Sequence, residues 1–565
     1  MHLKVYVVVM STRPEESDTF ADPIRLSVEG MTCDHCETTV ADALRRAGLE
    51  ELEVDWRRGS AVGMASAGFS GRRAAEELEV VGYRLAESDQ PEDEASVEPG
   101  GGEYDLLIIG AGSAAFAAAI KAFELGAQVA MVERDTIGGT CVNIGCVPSK
   151  TLLAAAEHYH RAGHSPFAGV PTSVGTVDLQ ALVAQKDELV ATMRQEKYED
   201  LIDIYGIDLI PGEARFTGPG TVEVDGRQVR AGRFLIATGA AAWAPPIEGL
   251  DDTGYLTSTT ALELTDLPGE LIVIGANAIG LELGQLFLHL GTRVTLVEAL
   301  DRIAPFEEPE ISAALGEHLE FLGARVLTSA TVTKAGRDGD RRWLDVTMDG
   351  TIERLEADHL LVATGRRART TGLGLDAAGV VTDGRGHIVV DDRMATSNPL
   401  VFAAGDVTTL PQFVYVAALS GAIATEHALR GTGRRIDLAT MPRVTFSSPP
   451  IAAVGLTEAE AREAGHRVVT SLLPLEVVPR ALVDHATTGL IKLVADETNG
   501  RLFGAHILAD GAGDVIQAAI MALKYRATID DVAGTFHPYL TMAEGFKLAA
   551  QGFSKDVKHL SCCAA

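Results

Sequence analysis

The stretch Leu106-Leu107-Ile108-Ile109-Gly110-Ala111-Gly112-Ser113-Ala114-Ala115 decides the fold, because it joins a short apolar run to a glycine-rich turn and a run of helix-forming residues. Strand, turn and helix follow in this order at the start of a dinucleotide-binding domain, where Gly110, Gly112 and Ala115 occupy the three motif positions. Glycines there let backbone N–H groups approach a pyrophosphate at the helix N-terminus. The next predicted strand ends at Glu133, where an acid accepts hydrogen bonds from a ribose.

A second copy of this pattern lies further along the chain. The apolar run 271–274 leads into Gly275-Ala276-Asn277-Ala278-Ile279-Gly280, whose outer glycines are Gly275 and Gly280, and an asparagine replaces the middle glycine. The next predicted strand ends at Glu298, at the same spacing from the first glycine. One glycine motif alone could be an ordinary turn between a strand and a helix. Two copies with the same context and spacing predict two dinucleotide-binding domains.

Two cysteines with four residues between them follow the first glycine turn, in the stretch Cys141-Val142-Asn143-Ile144-Gly145-Cys146. In a dinucleotide-binding fold this spacing is typical of a redox-active dithiol that lies against a flavin. We therefore expect the first domain to bind FAD, the second to bind NAD(P)H, and Cys141 and Cys146 (the core pair) to receive the electrons.

Further predicted strand ends suit a buried cofactor. The ends Ile236-Ala237-Thr238-Gly239 and Val362-Ala363-Thr364-Gly365 repeat each other, which extends the internal repeat. A buried strand that ends in Ala404-Gly405-Asp406 places an acid where it can contact the ribityl chain of the flavin. The cofactor-binding residues expected from these ends are Gly239, Gly365 and Asp406.

The other four cysteines also form close pairs, and they indicate a soft metal. Cys33 and Cys36 (the front pair) precede a predicted helix, whose N-terminus favours thiolates, and thiolates select soft ions such as Cu(I), Zn(II) or Hg(II). A thioredoxin-like redox motif is the alternative, but the surrounding pattern differs from that fold.

Cys562 and Cys563 (the tail pair) have Cα atoms about 3.8 Å apart, below the usual disulfide range. We expect them to be thiolates that exchange ligands; incidental cysteines at a frayed terminus are the alternative.

The composition argues against several kinds of partner. Asp and Glu number 79 against 48 Lys and Arg, and the formal net charge of -31 repels nucleic acid and anionic membranes. No apolar stretch is long enough for membrane insertion, and the apolar run 5–10 is too short for the core of a signal peptide. We expect a cytoplasmic protein whose cysteines serve catalysis or metal binding rather than disulfide bonds.

The chain is expected to contain an α/β catalytic part and a small domain in front of it. The front domain has the order βαββαβ of ferredoxin-like folds, with helical spacing from Cys36 to Ala47. A run rich in charge, Pro and Gly then predicts a flexible linker. The expected divisions are a metal-binding domain at 21–86, a linker at 87–102, an FAD-binding domain at 103–255 and 381–440, an NAD(P)H-binding domain at 256–380, and an α+β dimerisation domain at 441–565.

Residues 104 to about 560 resemble the flavin-dependent disulfide reductases, the family that includes glutathione reductase and lipoamide dehydrogenase. The resemblance rests on the glycine motifs and on the stretch from Gly138-Gly139-Thr140-Cys141 to Cys146-Val147-Pro148-Ser149-Lys150. It implies that Cys141 exchanges with substrate, that Cys146 contacts the flavin, and that the interface domain forms a homodimer. Further site residues implied by it are Thr140 in the flavin-binding turn, Lys150 near flavin N5, and Glu282 as the acid partner of that lysine.

Within that family the chain is similar to the mercuric reductases. Gly30-Met31-Thr32-Cys33-Asp34-His35-Cys36 resembles the heavy-metal-associated domain that precedes many of them, and the tail pair resembles their C-terminus. Tyr198 and Tyr539 match their active-site tyrosines, although packed aromatic side chains are the alternative for both. The resemblance implies a relay, in which the front pair collects Hg(II) from thiol complexes or from a mercury-delivering protein. The tail pair of a partner subunit then passes the ion to the core pair, where it is reduced to Hg(0).

Two positions depart from related patterns. Disulfide-reducing relatives pair the histidine that matches His537 with a glutamate five residues later, where this chain has Met542, so protonation of an organic thiol is poorly supported.

Glu298 stands where NAD-using relatives have an acid, and Ala299 and Pro305 stand where NADP-using relatives have arginines. An acid there accepts a hydrogen bond from the 2′-hydroxyl and repels a 2′-phosphate. We expect NADH to be used well, although NADPH is the habit of mercuric reductases.

Two other functions stay open on the sequence alone. One is a dihydrolipoamide dehydrogenase-like disulfide reductase fused to a metal-binding domain, against which Met542 and the tail pair argue. The other is a metal-trafficking protein, in which reduction only keeps the front pair reduced. Mercury-dependent oxidation of NAD(P)H distinguishes all three.

Overall fold

The computed structural model describes residues 24–29, 34–55, 60–65, 71–81, 83–85 and 103–559. The chain forms two compact units, 1–97 and 98–565. Cys33, the tail pair, the predicted linker and residues 1–20 lie outside the described residues. Within the described residues, no helix is long and apolar enough to cross a membrane.

The front unit combines two helices with a four-stranded antiparallel sheet. Its elements in chain order are strand Ile24–Glu29, helix Asp34–Arg46, strands Leu49–Asp55 and Ser60–Ala65, helix Gly71–Val80 and strand Arg84–Leu85. The first strand lies inside the sheet, between the third and the fourth. Val40, Leu44 and Leu78 are fully buried and belong to one apolar core with the strands.

Cys36 lies within a helix, so the prediction that both cysteines of the front pair precede it is wrong for this residue. The helix begins at Asp34, two residues earlier than the spacing of apolar residues indicated. An acid in the first turn is favoured by the helix dipole, which accounts for the earlier start. The Cys36 side chain is buried.

The large unit begins with a parallel five-stranded sheet. Its order across the sheet is Val401–Ala403, Ala231–Ile236, Tyr104–Ile109, Val129–Glu133 and Asp208–Pro211. The central strands, such as Tyr104–Ile109 and Val129–Glu133, are largely apolar because both faces of the sheet are covered. Helices Ser113–Glu124 and Val414–Arg430 pack on one face, and a small antiparallel sheet packs on the other, with strands Ala214–Gly218, Thr221–Val224 and Arg227–Val229. Other helices of this part are Gly139–Ile144, Cys146–Gly163, Leu179–Arg194, Asp200–Ile204 and Leu375–Ala378, with a π-helical turn at Gln195–Glu199.

A second parallel sheet has four strands, in the order Arg325–Leu327, Arg293–Val297, Glu270–Ile274 and His359–Val362. Helices Ala278–His289 and Pro309–Phe321 cover one face of it. The antiparallel strands Thr331–Asp338, Arg341–Met348 and Thr351–Ala357 cover the other. The second strand ends at Val297, so the prediction that it reaches Glu298 is wrong by one residue. Glu298 instead hydrogen-bonds the preceding glycine turn.

The C-terminal part is an antiparallel domain. Its sheet has the strand order Pro442–Thr445, Ile451–Gly455, Leu502–Leu508, Leu490–Asp496 and Val468–Pro474. Helices Ala512–Lys524, Ile529–Gly534 and Ala543–Gln551 share one apolar core with this sheet. The mixed α/β fold predicted for the catalytic part is confirmed.

Candidate active site

The first glycine turn leaves backbone donors available at a helix N-terminus. The helix Ser113–Glu124 begins after Gly112, and no side chain caps it. Gly110 has a φ of 108°, and a Cβ there would lie 2.5 Å from the carbonyl oxygen of Ala237, so only glycine fits. Uncapped N–H groups at a helix start bind anions such as a pyrophosphate.

The two acids predicted to bind ribose hold their glycine turns in the same way. Glu133 accepts a hydrogen bond from the backbone N–H of Ala111 at 2.8 Å, and another from the residue two positions further on. Glu298 accepts the equivalent bond from Ala276 at 2.7 Å, and again a second from two positions further on. A carboxylate has about four acceptor positions, so each acid retains capacity for a ligand. The two copies of the internal repeat therefore share these hydrogen bonds as well as their sequence pattern.

The core pair lies where two helices meet. Cys141 is in the helix Gly139–Ile144, and Cys146 begins the helix Cys146–Gly163. Interaction with the Cys141 side chain lowers the pKa of Cys146, and the ammonium of Lys150 lowers it further. The same interaction, with burial, raises the pKa of Cys141. The pair with one proton therefore carries its negative charge on Cys146.

An ion pair beside the core pair joins three parts of the large unit. Lys150 Nζ lies 2.6 Å from Glu282 Oε2, and Glu282 is 5% exposed. The other carboxylate oxygen accepts the backbone N–H of Phe446 at 2.9 Å. The ring centre of Phe446 lies 4.6 Å from Lys150 Nζ. The lysine comes from the helix that Cys146 begins, the acid from the helix after the second glycine turn, and the phenylalanine from the antiparallel domain.

A cavity of about 1230 Å³ extends from the first glycine turn past the core pair. The predicted site residues in its lining are Gly110, Gly112, Glu133, Thr140, Cys141, Cys146, Lys150, Gly239, Glu282 and Asp406. The predicted residues of the described chain outside this lining are Ala115, Tyr198, Gly275, Gly280, Glu298, Gly365 and Tyr539. Ala278 and Ile279 also line the cavity, so it reaches the start of the helix after the second glycine turn.

Arg366 is a cavity residue that was not predicted from the sequence. Its guanidinium lies 4.0 Å from the carboxylate of Asp406 and donates hydrogen bonds to Thr140 Oγ1, at 3.4 Å, and to the carbonyl of Ala240. Burial raises the pKa of Asp406 and lowers the pKa of Arg366. Its only sequence signal was its place directly after the repeated strand end at Gly365.

These groups fit the parts of FAD. The uncapped helix start suits the pyrophosphate, and Glu133 suits the adenosine ribose. Asp406 and Arg366 are largely buried, with 21% and 15% of their side chains exposed, and they stand 4.0 Å apart. Buried polar groups require hydrogen-bond partners, and a ligand rich in hydroxyl groups supplies them.

Tyr198 lies near the core pair on the π-helical turn Gln195–Glu199, and such turns are frequent at functional sites. Its ring packs edge-to-face on Phe116, with centroids 4.9 Å apart. Burial raises the pKa of the Tyr198 phenol, with the nearby thiols of the core pair adding to the effect. The phenol is therefore neutral at physiological pH.

Tyr539 is not brought to the cavity of its own chain, and its side chain is 55% exposed. Nearby, His537 Nδ1 lies 3.1 Å from the carbonyl oxygen of Thr535. Met542 precedes the helix Ala543–Gln551, and Glu544 is buried in its first turn, where burial raises the pKa of the carboxyl group.

Family models match two parts of the chain. Residues 104–421 match the pyridine nucleotide-disulphide oxidoreductases, and residues 441–550 match the dimerisation domain of that family. Among solved structures, the HOCl-induced flavoprotein disulfide reductase RclA from Escherichia coli is similar, with 30% identity and a TM-score of 0.72 over 79% of this chain and 99% of that chain. LpdA from Mycobacterium tuberculosis is 28% identical, with a TM-score of 0.71 over 80% of this chain and 100% of that chain.

Relatives named mercuric reductase are more similar in sequence. One from Staphylococcus aureus is 50% identical over 541 residues, which are 96% of this chain and 99% of the relative. One from Streptomyces lividans is 51% identical over 467 residues, 82% of this chain and 98% of the relative. One from Bacillus cereus is 49% identical over 563 residues, 97% of this chain and 88% of the relative. The chain belongs to the pyridine nucleotide-disulphide oxidoreductase family and, within it, to the mercuric reductases.

Proposed function

We propose that the chain reduces thiol-bound Hg(II) to volatile Hg(0) with two electrons from NAD(P)H. In the balanced reaction, NAD(P)H and Hg(II) give NAD(P)⁺, one proton and Hg(0). The observation that carries the proposal is the core pair, two cysteines that line one large cavity together with the Lys150–Glu282 ion pair. Soft thiolates suit a soft ion, and the similarity to mercuric reductases indicates which ion.

The residues around the cavity would hold FAD, which when bound takes the hydride of the nicotinamide and supplies electrons to the dithiol chemistry. The start of the helix Ser113–Glu124 would bind the pyrophosphate, and Glu133 the ribose. Asp406 and Arg366 would bind the hydroxyl groups of the ribityl chain. Lys150, held in place by Glu282, keeps a positive charge beside Cys146 and so favours its thiolate.

The core pair can accept Hg(II) from two small thiols without a separate proton donor. Cys146 contributes a thiolate, and Cys141 contributes a thiol with one proton. When both sulfurs bind the ion, the two substrate sulfurs leave, one as a thiolate and the other as a thiol that takes the proton of Cys141. A glutamate at the position of Met542 is therefore not needed. Tyr198, as a neutral phenol, can donate a hydrogen bond to a metal-bound sulfur.

The front unit and the tail would deliver Hg(II) to the core pair. The order of elements in the front unit, with its first strand inside the sheet, supports a ferredoxin-like metal-binding domain at 21–86, followed by a linker at 87–102. In a homodimer, the tail pair and Tyr539 of the partner subunit would complete the site. The source of the ion would be Hg(II)-thiol complexes or a mercury-delivering protein in the cytoplasm.

Loss of the tail pair is expected to impair turnover of strongly bound Hg(II). Changing Cys562 and Cys563 to Ala should lower kcat/KM roughly hundredfold when Hg(II) arrives as a dithiol complex, because tethered thiols act at a high effective concentration. Weakly bound Hg(II), such as the chloride complex, should still reach the core pair directly. Initial rates of NAD(P)H oxidation with each donor measure the difference. Normal turnover of the dithiol complex by the double variant would contradict the relay.

NADH is expected to match or exceed NADPH as the electron donor. Glu298 is buried, and at the nucleotide ribose its carboxylate would repel a 2′-phosphate. Arg302 is the nearest cation in the sequence, but its Nη2 donates to the carbonyl of Pro305 at 2.9 Å. A lost hydrogen bond plus repulsion is on the order of 1.5–3 kcal/mol, or roughly ten- to hundredfold in kcat/KM. The ratio of kcat/KM for the two nucleotides measures it.

A double variant reverses this preference. Glu298→Gln with Ala299→Arg should favour NADPH, because it removes the negative charge and adds a positive one. Gln keeps an acceptor for the backbone N–H of Ala276, which Glu298→Ala would leave unpaired. Ala299→Arg alone is the control. A strong wild-type preference for NADPH would contradict the charge argument and assign the 2′-phosphate to Arg302.

The purified, FAD-loaded protein tests the function itself. We expect Hg(II) to stimulate oxidation of NADH or NADPH and to leave as Hg(0) vapour in equal amount. A dihydrolipoamide dehydrogenase-like enzyme would reduce lipoamide and release no Hg(0). A metal-trafficking protein would bind Hg(II) at the front pair without sustained oxidation of NAD(P)H. Absence of Hg(0) with both nucleotides overturns the proposal.

A further inference from the structure

A buried lysine of the antiparallel domain contacts three carboxylates. Lys492 lies in the strand Leu490–Asp496 and is 2% exposed. Its Nζ lies 2.9 Å from Glu308 Oε2, 2.8 Å from Glu310 Oε1 and 3.0 Å from Glu458 Oε2. Glu308 is also buried, and its other oxygen accepts the backbone N–H of Glu458 at 2.6 Å. Lys492 thus connects the antiparallel domain to Glu308 and Glu310, two residues that follow Glu298 in the chain.

The segment that Lys492 anchors is the loop 299–308, which we call the ribose loop. It begins directly after Glu298 and ends at Glu308, the residue before the helix Pro309–Phe321. Between these ends, the backbone N–H of Ala304 donates to the carbonyl of Ala276 in the second glycine turn at 2.8 Å. The loop is thus hydrogen-bonded to the second glycine turn between its two ends.

A second ion pair fixes the same end of the ribose loop. Glu307 is buried, and its carboxylate accepts hydrogen bonds from Arg443 Nε at 3.3 Å and Arg443 Nη2 at 3.4 Å. Arg443 belongs to the strand Pro442–Thr445 of the antiparallel domain, whereas Lys492 belongs to a different strand of the same sheet. Two adjacent glutamates of one loop are thus held by two cations of one sheet.

We propose that Lys492 is a positioning residue for the nicotinamide nucleotide. It holds the ribose loop against the second glycine turn, so that NADH and NADPH meet a preformed site. The inference rests on the proposed function, in which this loop borders the nucleotide ribose. Without Lys492, the buried carboxylate of Glu308 loses its cation and lies near the partly exposed carboxylate of Glu310, which is unfavourable for two like charges. Glu308 then moves away from Glu310, and the loop moves with it.

Lys492→Met in the full-length, FAD-loaded protein tests the proposal. NADH and NADPH are each titrated with ferricyanide as the electron acceptor, so that the readout does not depend on mercury chemistry. We expect KM to rise about tenfold or more, while kcat and the FAD content stay near wild type. The factor should be the same for both nucleotides, because Lys492 acts on the loop and not on the 2′-position.

Leu493→Ala is the matched control. Leu493 is the next residue of the same strand and is fully buried in the core of the antiparallel domain. Its truncation should lower the melting temperature without changing KM for either nucleotide. If Lys492 only stabilises the fold, Lys492→Met will behave like this control, and that result overturns the proposal.

A charge-relieving variant distinguishes repulsion from lost packing. Adding Glu308→Gln to Lys492→Met should bring the KM part of the way back down to the wild-type value, because one of the facing charges is gone.

If Lys492→Met does not fold, Arg443→Met provides the second test. We expect a smaller rise in KM for both nucleotides, and an unchanged KM would overturn the inference. A changed NADH-to-NADPH ratio in Lys492→Met also overturns it. If the wild-type protein oxidises neither nucleotide, the proposed function fails instead.

Discussion

Replacement of either Cys141 or Cys146 by Ser is expected to abolish Hg(II) reduction, with a loss of roughly 10³-fold or more in kcat. A serine hydroxyl is not ionised at neutral pH and is a hard ligand, whereas Hg(II) is held by soft thiolates. In Cys141→Ser, the interaction of the Cys141 side chain that lowers the pKa of Cys146 also changes. In Cys146→Ser, the thiolate itself is gone. The two single variants and the double variant should lose similar amounts, because the pair acts as a unit.

The measurement is Hg(0) release together with NAD(P)H oxidation. Both serine variants should keep FAD, because the helix start, Glu133 and Asp406 are unchanged, and they should still pass electrons from NADH to ferricyanide. Cys36→Ser is the matched control, since Cys36 is a cysteine of the front unit, and this variant should retain reduction with excess small thiol. More than a few per cent of wild-type activity in either core variant would contradict the assignment.

Gly280→Ala is expected to weaken binding of both nicotinamide nucleotides roughly hundredfold, or about 3 kcal/mol. A Cβ at Gly280 would lie 1.8 Å from the carbonyl oxygen of Gly275, and a backbone atom cannot rotate aside as a side chain can. The glycine turn has to open, which displaces the N–H groups at the start of the helix Ala278–His289. KM for NADH and NADPH with ferricyanide, and nucleotide binding by titration, measure the effect.

Gly316→Ala is the control for this variant. Gly316 lies in the helix Pro309–Phe321 of the same domain, and the nearest atom to an added Cβ, Ile303 Cδ1, is 3.7 Å away. This change should leave KM unaltered and should be neutral or slightly stabilising, because alanine favours helix. The FAD content of Gly280→Ala should also be normal. An unchanged KM in Gly280→Ala would show that the second turn does not bind the nucleotide.

The features that could be predicted from the sequence are those that follow a local rule. The glycine turns and the acids Glu133 and Glu298 obey a motif with fixed spacing, and the spacing of apolar residues indicated the strands around them. The third position of the glycine motif, Ala115 in the first copy and Gly280 in the second, shows the limit of such rules. Ala115 is fully buried in the first copy, whereas the equivalent Gly280 has no room for a Cβ. The difference depends on how closely each helix approaches its turn, which spacing does not record.

The features that could not be predicted depend on distant parts of the chain. Arg366 reaches Asp406 across the cavity because the strand Arg366–Ala368 pairs with Ala240–Ala242, and a lone arginine after a strand gives no sign of this. Phe446 supports Glu282 through its backbone N–H, for which no side-chain pattern exists. Lys492 stands in an apolar strand, and its carboxylate partners come from two other segments. Each of these contacts joins residues that are far apart in the chain, so it could be found only once the arrangement of strands and helices was known.

The hydrogen bond from Phe446 to Glu282 limits how this molecule can be divided and recombined. A chain that ended before residue 441 would keep both parallel sheets, but Glu282 would lose the hydrogen bond from the backbone N–H of Phe446. The ion pair of Lys150 and Glu282 therefore depends on the antiparallel domain as well as on the two parts built on parallel sheets. The front unit has a core of its own. It is therefore the part of the chain that can be exchanged without removing a residue of the Lys150–Glu282–Phe446 contact.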